Sequence, residues 1–280
     1  FAGMYMLYSL NKLGLNALIL EQGDGVGGTW YWNRYPGARC DISSIEYSYS
    51  FSEELQQEWE WSHKYSTQPE ILEYANHVAD RFYLRDKIIF NEQVISADFI
   101  DASSKWEIKT ASGDTYRSQY CIMATGSLSS INKPKFEGID SFNGDWYITG
   151  NWPHEKIDLS EKNVGIIGTG SSAVQAIPVI AENAKTLTVF QRTANYSIPA
   201  NNEQLNQNEI KEFKKNYSVF RDKQRHTRAG VALSKMGTKS ALEVSEHERL
   251  AEYQKRWDIG YSGFISSYTD IGTNEEANET

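Results

Sequence analysis

A chain of 280 residues is longer than one ordinary domain, and a formal charge of −9 without any basic cluster argues against nucleic acid or an anionic membrane as its main partner. Its two cysteines, Cys40 and Cys121, do not make a disulfide framework and fit a reducing compartment, so the expected location is cytoplasmic. No apolar run approaches the ~20 residues of a membrane helix, and no signal-peptide layout is visible.

Phe1-Ala2-Gly3 leads into an amphipathic helix carrying Met4, Met6, Leu7 and Leu10, which Leu13-Gly14 stops. Residues 17–20 read as a strand that ends in Glu21. Helix, strand and terminal acid match the second half of a dinucleotide fold, with Gly3 in the place of the last fingerprint glycine. An acid there accepts hydrogen bonds from ribose hydroxyls; the alternative is a solvated strand end. The first strand and first two glycines of such a fold are then expected upstream of residue 1. Residues 23–41 form a loop rich in glycine (Gly23, Gly25, Gly27, Gly28) with Trp30, Tyr31 and Trp32 in succession. Glycines permit a tight path with positive φ, and three exposed aromatics would be costly. Such a loop either wraps a planar cofactor or is a rigid surface loop around a buried aromatic plug.

Thr67-Gln68-Pro69-Glu70 opens a helix to about Leu84, by capping-box spacing and proline in the first turn. His77 on it reads as structural. Residues 88–90 read as a parallel strand. Alternating patterns at 94–100, 106–109 and 115–117, with turns at Ala102-Ser103-Ser104 and Ser112-Gly113-Asp114, signal antiparallel hairpins. Residues 120–124 read as a returning buried strand that ends in Thr125-Gly126.

Residues 164–167 read as a buried parallel strand running into Gly168-Thr169-Gly170-Ser171-Ser172-Ala173, then a helix, then a strand at 186–190. In this G-x-G-x-x-A turn Gly168 reverses the chain, Gly170 admits a pyrophosphate and Ala173 allows close helix–strand packing. The helix N-terminus offers free N–H groups and partial positive charge to phosphates. Arg192 stands where NAD-preferring sites carry an acid, and so is expected to meet the 2′-phosphate of NADP. After Pro199 come a polar linker, a charged helix from Glu209 to about Arg225 with apolar Ile210, Phe213 and Tyr217, a basic stretch at 226–239 expected to be mobile, and a capping box at Ser245–Glu248 that opens a helix through Trp257. Lys235, Lys239 and His247 read as solvated surface groups, and the five histidines and two cysteines show no metal-ligand spacing.

Glu21, the run GGTWYWNRYPGARCD (residues 27–41), Ala124-Thr125-Gly126, GTGSSAVQ (residues 168–175) and Gln191-Arg192-Thr193 together resemble the flavin-dependent Baeyer–Villiger monooxygenases, from residue 1 to about 250. The resemblance implies FAD on the first nucleotide fold and NADPH on the second. It places Glu21 on the FAD ribose, Gly27, Gly28, Thr29, Trp30, Tyr31 and Trp32 along the pyrophosphate and flavin, and Val94 at the adenine edge. Thr125 and Gly126 fall near the flavin, with Asp41 and Tyr47 beside its ring. Arg39, Cys40 and Asp41 are implied to face the nicotinamide nucleotide, whose other ligands are Gly168, Thr169, Gly170, Ser171, Ser172, Ala173, Val174, Gln175, Arg192 and Thr193. Asp41 is the candidate catalytic residue: the matching acid in the family pairs with an arginine, from the later half of the enzyme, that stabilises the flavin peroxide. Local chemistry alone equally supports an Asx turn at Asp41. The family fingerprint F-x-G-x-x-x-H-x-x-x-W-P is met at Phe142, Gly144, Trp152 and Pro153 but not at Ile148, where an imidazole is expected. His154 lies six residues further on.

The expected fold is α/β: two Rossmann-like dinucleotide-binding folds with a small β-hairpin layer and a helical insertion, incomplete as it stands. Residues 1–130 are assigned to FAD, 131–160 to a linker, 161–200 to the first part of the NADP fold and 201–280 to the insertion. The implied reaction takes a small-molecule ketone and O2 to an ester or lactone through a C4a-peroxyflavin. Oxygenation of sulfides or amines, an FAD/NADP-binding fragment without activity, and a methyltransferase resting on the Gly168 turn alone are the alternatives.

Overall fold

The computed structural model describes residues 1–128, 130–227, 230–233, 236–260 and 263–280; Lys235 lies outside them. The chain divides into two compact units, Phe1–Ala38 with Gln68–Ser160, and Arg39–Thr67 with Glu161–Thr280.

In the first unit the helix Ala2–Lys12 buries Met4 and Leu7, one turn apart on one face as the sequence pattern predicts. It ends at Leu13, and Gly14 takes a φ of 70°. The expected 17–20 strand is shorter: β1 is Ile19–Leu20, paired in parallel with β2, Ile88–Ile89. The helix Gln68–Arg81 buries Ile71, Tyr74, Ala75, Val78 and Ala79 at helical spacing. The hairpin layer is present as an antiparallel meander of β3 (Val94–Ile100), β4 (Lys105–Thr110) and β5 (Thr115–Ser118). Left-handed Ser104 and Gly113 make its two turns. Residues 120–124 are not a strand: Tyr120, Ile122 and Met123 are 75%, 51% and 67% exposed, because no described neighbour offers them a ladder.

In the second unit β6 (Asn163–Ile167) and β7 (Thr186–Phe190) pair in parallel across the helix Ser171–Asn183, which turns Ala176 and Ile180 inward. The strand–turn–helix–strand is therefore as expected, but its first strand is not buried: Ile167 is 67% exposed. Among the described residues the two strands pair only with each other, so their apolar runs are covered incompletely. The single charged helix expected over 209–225 is two, Gln207–Lys214 and Tyr217–Arg225. Anchors on both sides of the break account for it. Buried Lys214 donates to Gln57 O (3.0 Å) and Trp59 O (2.6 Å), and Tyr217 Oη donates to Ile45 O at 2.7 Å. Ile210 and Tyr217 join Ile45 in a small core with Phe213 and Phe220 packed against it. The Ser245–Glu248 capping box is formed and opens the helix Glu246–Ile259. Among the described residues no helix is long and apolar enough to cross a membrane.

Candidate functional site

The glycine- and aromatic-rich stretch of the first unit contains one helical turn, Thr29–Trp32, where the sequence reads as loop throughout. Tyr31 fills its interior. The ring is 9% exposed, and a Cβ placed on Gly23 or Gly25 would lie 2.8 or 3.1 Å from it. The Tyr31 hydroxyl donates to Asp24 Oδ1 at 2.6 Å, and Arg34 donates to Tyr31 O while its guanidinium lies 5.3 Å from the ring centre. Burial, then the Asp24 bond, hold the phenol above its ordinary pKa. Trp30 is also buried, with its carbonyl accepting from the Gln68 amide. Thr29 and Trp32 stay half-buried. The loop thus has the buried aromatic plug, and Gly28 (φ 54°) has open space where a Cβ would stand.

Gly3 lets the first helix close on the strand and on 124: an added Cβ would meet Ile19 Cδ1 at 3.6 Å and Ala124 Cβ at 3.7 Å. Glu21 ends β1, its backbone continuing the ladder to Ile89 and Glu92, and one carboxylate oxygen accepts from Gly23 N–H at 2.9 Å. Gly126 has a φ of 72°, and exposed Val94 opens β3. Ile148 is half-buried before the short turn Thr149–Asn151. His154 packs edge-on to Tyr31, with ring centres 5.2 Å apart.

In the second unit Gly168 has a φ of 104°, and neither it nor Gly170 has any atom within 4 Å of a built Cβ. Gly170 caps the helix Ser171–Asn183 without a side-chain hydrogen bond. A glycine at the cap offers the first N–H groups of the helix no side-chain acceptor, which leaves them the donors an anion needs. The segment after β7 folds back over the turn: Gln191 Nε2 donates to Thr169 Oγ1 at 2.8 Å and Asn195 Nδ2 to Thr169 O at 3.0 Å. Arg192 and Thr193, between these two anchors, are exposed. In the sequence only its four-residue spacing from Gln191 marks Asn195.

Residues 39–41 belong to this same unit. Arg39 bridges to Thr67, and Cys40 N–H donates to Ser66 O at 2.9 Å. From the other side the Gln175 amide reads the segment: its oxygen accepts Arg39 N–H at 3.2 Å, and its nitrogen donates to Arg39 O at 3.2 Å and Asp41 Oδ1 at 3.1 Å. Burial raises the Cys40 thiol to about 11, so it is a packed, protonated group at neutral pH. Tyr47 ends the short helix Ser44–Tyr47. Buried Glu46 in that helix, which no local sequence pattern singles out, accepts the N–H groups of Ala232 and Leu233, so at least these two residues of the stretch expected to be mobile are anchored. Lys239 pairs with Glu248 at 3.6 Å and is exposed.

A family model described as pyridine nucleotide-disulphide oxidoreductase matches residues 2–266. The chain is 40% identical over 283 residues to a phenazine N-monooxygenase of Lysobacter antibioticus, covering all of this chain and 52% of that protein. It is 41% identical over 283 residues to a Baeyer-Villiger monooxygenase of Pseudooceanicola batsensis, again covering all of this chain and 51% of the relative. Among solved structures, an oxidized steroid monooxygenase bound to NADP superposes with a TM-score of 0.95 at 49% identity, over 99% of this chain and 53% of that one. The chain thus spans about half the length of the curated relatives it matches. It belongs to the pyridine nucleotide-disulphide oxidoreductase family, and its expected likeness to the Baeyer–Villiger monooxygenases holds along its whole length.

Proposed function

We propose that the protein carrying this chain is an FAD- and NADPH-dependent monooxygenase that inserts one oxygen atom from O2 beside a ketone carbonyl, giving an ester or lactone. The observation that carries the reading is the open turn of the second unit: unobstructed Gly168 and Gly170, an uncapped helix N-terminus and exposed Arg192. This donor set suits a phosphorylated dinucleotide, with backbone N–H groups for the pyrophosphate and a guanidinium for the 2′-phosphate. The first unit fits FAD in the same terms. Gly3 permits close helix packing, Gly28 leaves space beside the backbone, and Glu21 keeps a carboxylate at the strand end for ribose hydroxyls.

Bound there, the two cofactors would supply hydride delivery and oxygen activation; the protein's share is binding, orientation and charge. Arg192 selects the phosphorylated nicotinamide. Tyr31 holds the glycine loop in shape from inside, leaving Thr29 and Trp32 at its surface. Asp41 is the catalytic carboxylate of the reading, and its orientation is set by protein groups. Oxygenation at nitrogen stays as a second reading, favoured by the 40% identity to a phenazine N-monooxygenase.

The test is product analysis with 18O2. Ketone-dependent NADPH consumption that yields an ester carrying one labelled oxygen supports the proposal. NADPH consumption that yields only hydrogen peroxide contradicts it, and labelled N-oxide from a heteroaromatic amine with no ester favours the second reading.

A further inference from the structure

Gln175 lies in the motif that marks the nucleotide turn, yet its side chain is engaged with protein. Both poles of the amide are used on one segment: the oxygen on Arg39 N–H, the nitrogen on Arg39 O and Asp41 Oδ1. A primary amide offers one acceptor oxygen and two donor hydrogens, and this arrangement assigns a partner to each. The far side of the segment is held by Ser66 and Thr67, so residues 39–41 sit between two sets of hydrogen bonds within the second unit. Asp41 itself is exposed, and a carboxylate on the surface adopts many rotamers unless something selects one.

Gln175 stands four residues after Ser171, about 6 Å along the helix axis from the N-terminus that faces Gly170. A helix is stiff over one turn, so whatever settles the first turn also settles Gln175. We propose that Gln175 is a positioning residue: it passes the seating of dinucleotide phosphates at the helix N-terminus on to the Asp41 carboxylate, through the Arg39 backbone. This rests on the NADP reading of the second unit. It differs from a ligand role for Gln175, because the amide then serves Asp41 and not the nucleotide.

The experiment compares the full-length protein that carries this chain with its Gln175→Leu and Gln175→Glu variants by residue-resolved amide exchange at 39–41, with and without NADP+. Leucine is of similar volume but removes every polar contact. Glutamate keeps an acceptor for Arg39 N–H and loses the donor for Asp41. Without nucleotide, exchange at Arg39 should rise about tenfold in Gln175→Leu, as loss of one hydrogen bond requires, and by less in Gln175→Glu, which keeps the acceptor but sets a second carboxylate against Asp41. NADP+ should slow exchange at Arg39 and Asp41 in the parent chain and not in Gln175→Leu, while its Kd changes less than about threefold.

Unchanged Arg39 exchange in Gln175→Leu overturns the positioning role. So does a Kd for NADP+ weakened about tenfold or more in that variant, which makes Gln175 a direct ligand. NADP+ that binds the parent without slowing Arg39 or Asp41 exchange overturns the relay alone. A parent chain that binds no NADP+ overturns the cofactor reading and the relay with it, an outcome distinct from the others because the nucleotide-free exchange still reports the clamp.

Discussion

Two glycine-rich turns in this protein use glycine for opposite reasons. In the first unit Gly27 has a φ of 123° and an added Cβ would lie 2.6 Å from Leu72 Cδ1, while Gly23 and Gly25 make room for the Tyr31 ring. There the missing side chain is replaced by protein. In the second unit Gly168 and Gly170 have nothing within 4 Å of a built Cβ, and the helix behind them lacks a side-chain cap. There the missing side chain leaves room beside backbone donors. Glycine spacing cannot distinguish the two uses, since both read as G-x-G; the surroundings do. Turns of the first sort are expected to govern stability, and those of the second to govern binding.

The largest effect should come from Gly27→Ala. Positive φ and the Leu72 clash together should cost about 2–4 kcal/mol, read as a fall in the thermal midpoint. A melt unchanged from the parent would remove the packing half of the comparison. Next is Arg192→Ala, expected to weaken NADPH by about 10- to 100-fold, the worth of a charge-assisted hydrogen bond, while leaving NADH nearly unaffected. Equal losses for both coenzymes would show that Arg192 does not meet the 2′-phosphate. Gly170→Ala sharpens the contrast: with a φ of −72° and open space, it should shift stability by less than about 1 kcal/mol yet weaken NADP+ on the order of tenfold.

Smaller effects return to the aromatic plug. Tyr31→Phe removes the bond to Asp24 and should cost about 1 kcal/mol near neutral pH. The sign with pH follows from the raised phenol. Its stabilising contribution is complete below the ordinary tyrosine value and is lost as pH climbs through the higher folded value, so the parent loses stability above pH ~10 and the phenylalanine variant loses less. Parallel alkaline melts for the two would contradict this. The least change is chemical. With iodoacetamide at pH 8, half-buried Cys121 should be labelled well before Cys40, whose thiol is buried and shifted to about 11. Peptide mapping that finds Cys40 labelled first would show that residues 39–41 are not packed as described.

Periodic features were legible in the sequence. The hairpin layer announces itself by alternation and by Gly113, and the Ser245 capping box by its spacing. The turn at Gly168–Ala173 was legible because strand, turn, helix and strand are consecutive in the chain. Contacts between distant residues were not. Nothing local reveals that residues 39–67 join the second unit, which depends on Gln175 reaching Arg39 and on Tyr217 reaching Ile45. The helix break near Asn216 is invisible for a related reason: Ile210, Phe213 and Tyr217 keep helical spacing across it, and the anchors that impose it are Gln57, Trp59 and Ile45. Residues 120–124 misled because β-branched and aromatic residues suit a strand, but a strand forms only where a neighbour supplies hydrogen bonds. The aromatic plug was recognisable as a choice between two roles, and only the distance from Tyr31 to Gly23 and Gly25 decides what that ring does.

The central claim is that two separate nucleotide sites exist, FAD on the first unit and NADP on the second. Equilibrium dialysis of the full-length protein that carries this chain against FAD and NADP+, singly and together, tests it most directly. Close to one equivalent of each, with saturation by one leaving the Kd of the other within about threefold, is the result the account predicts. Displacement of one nucleotide by the other at a single shared site, or retention of neither, would contradict it.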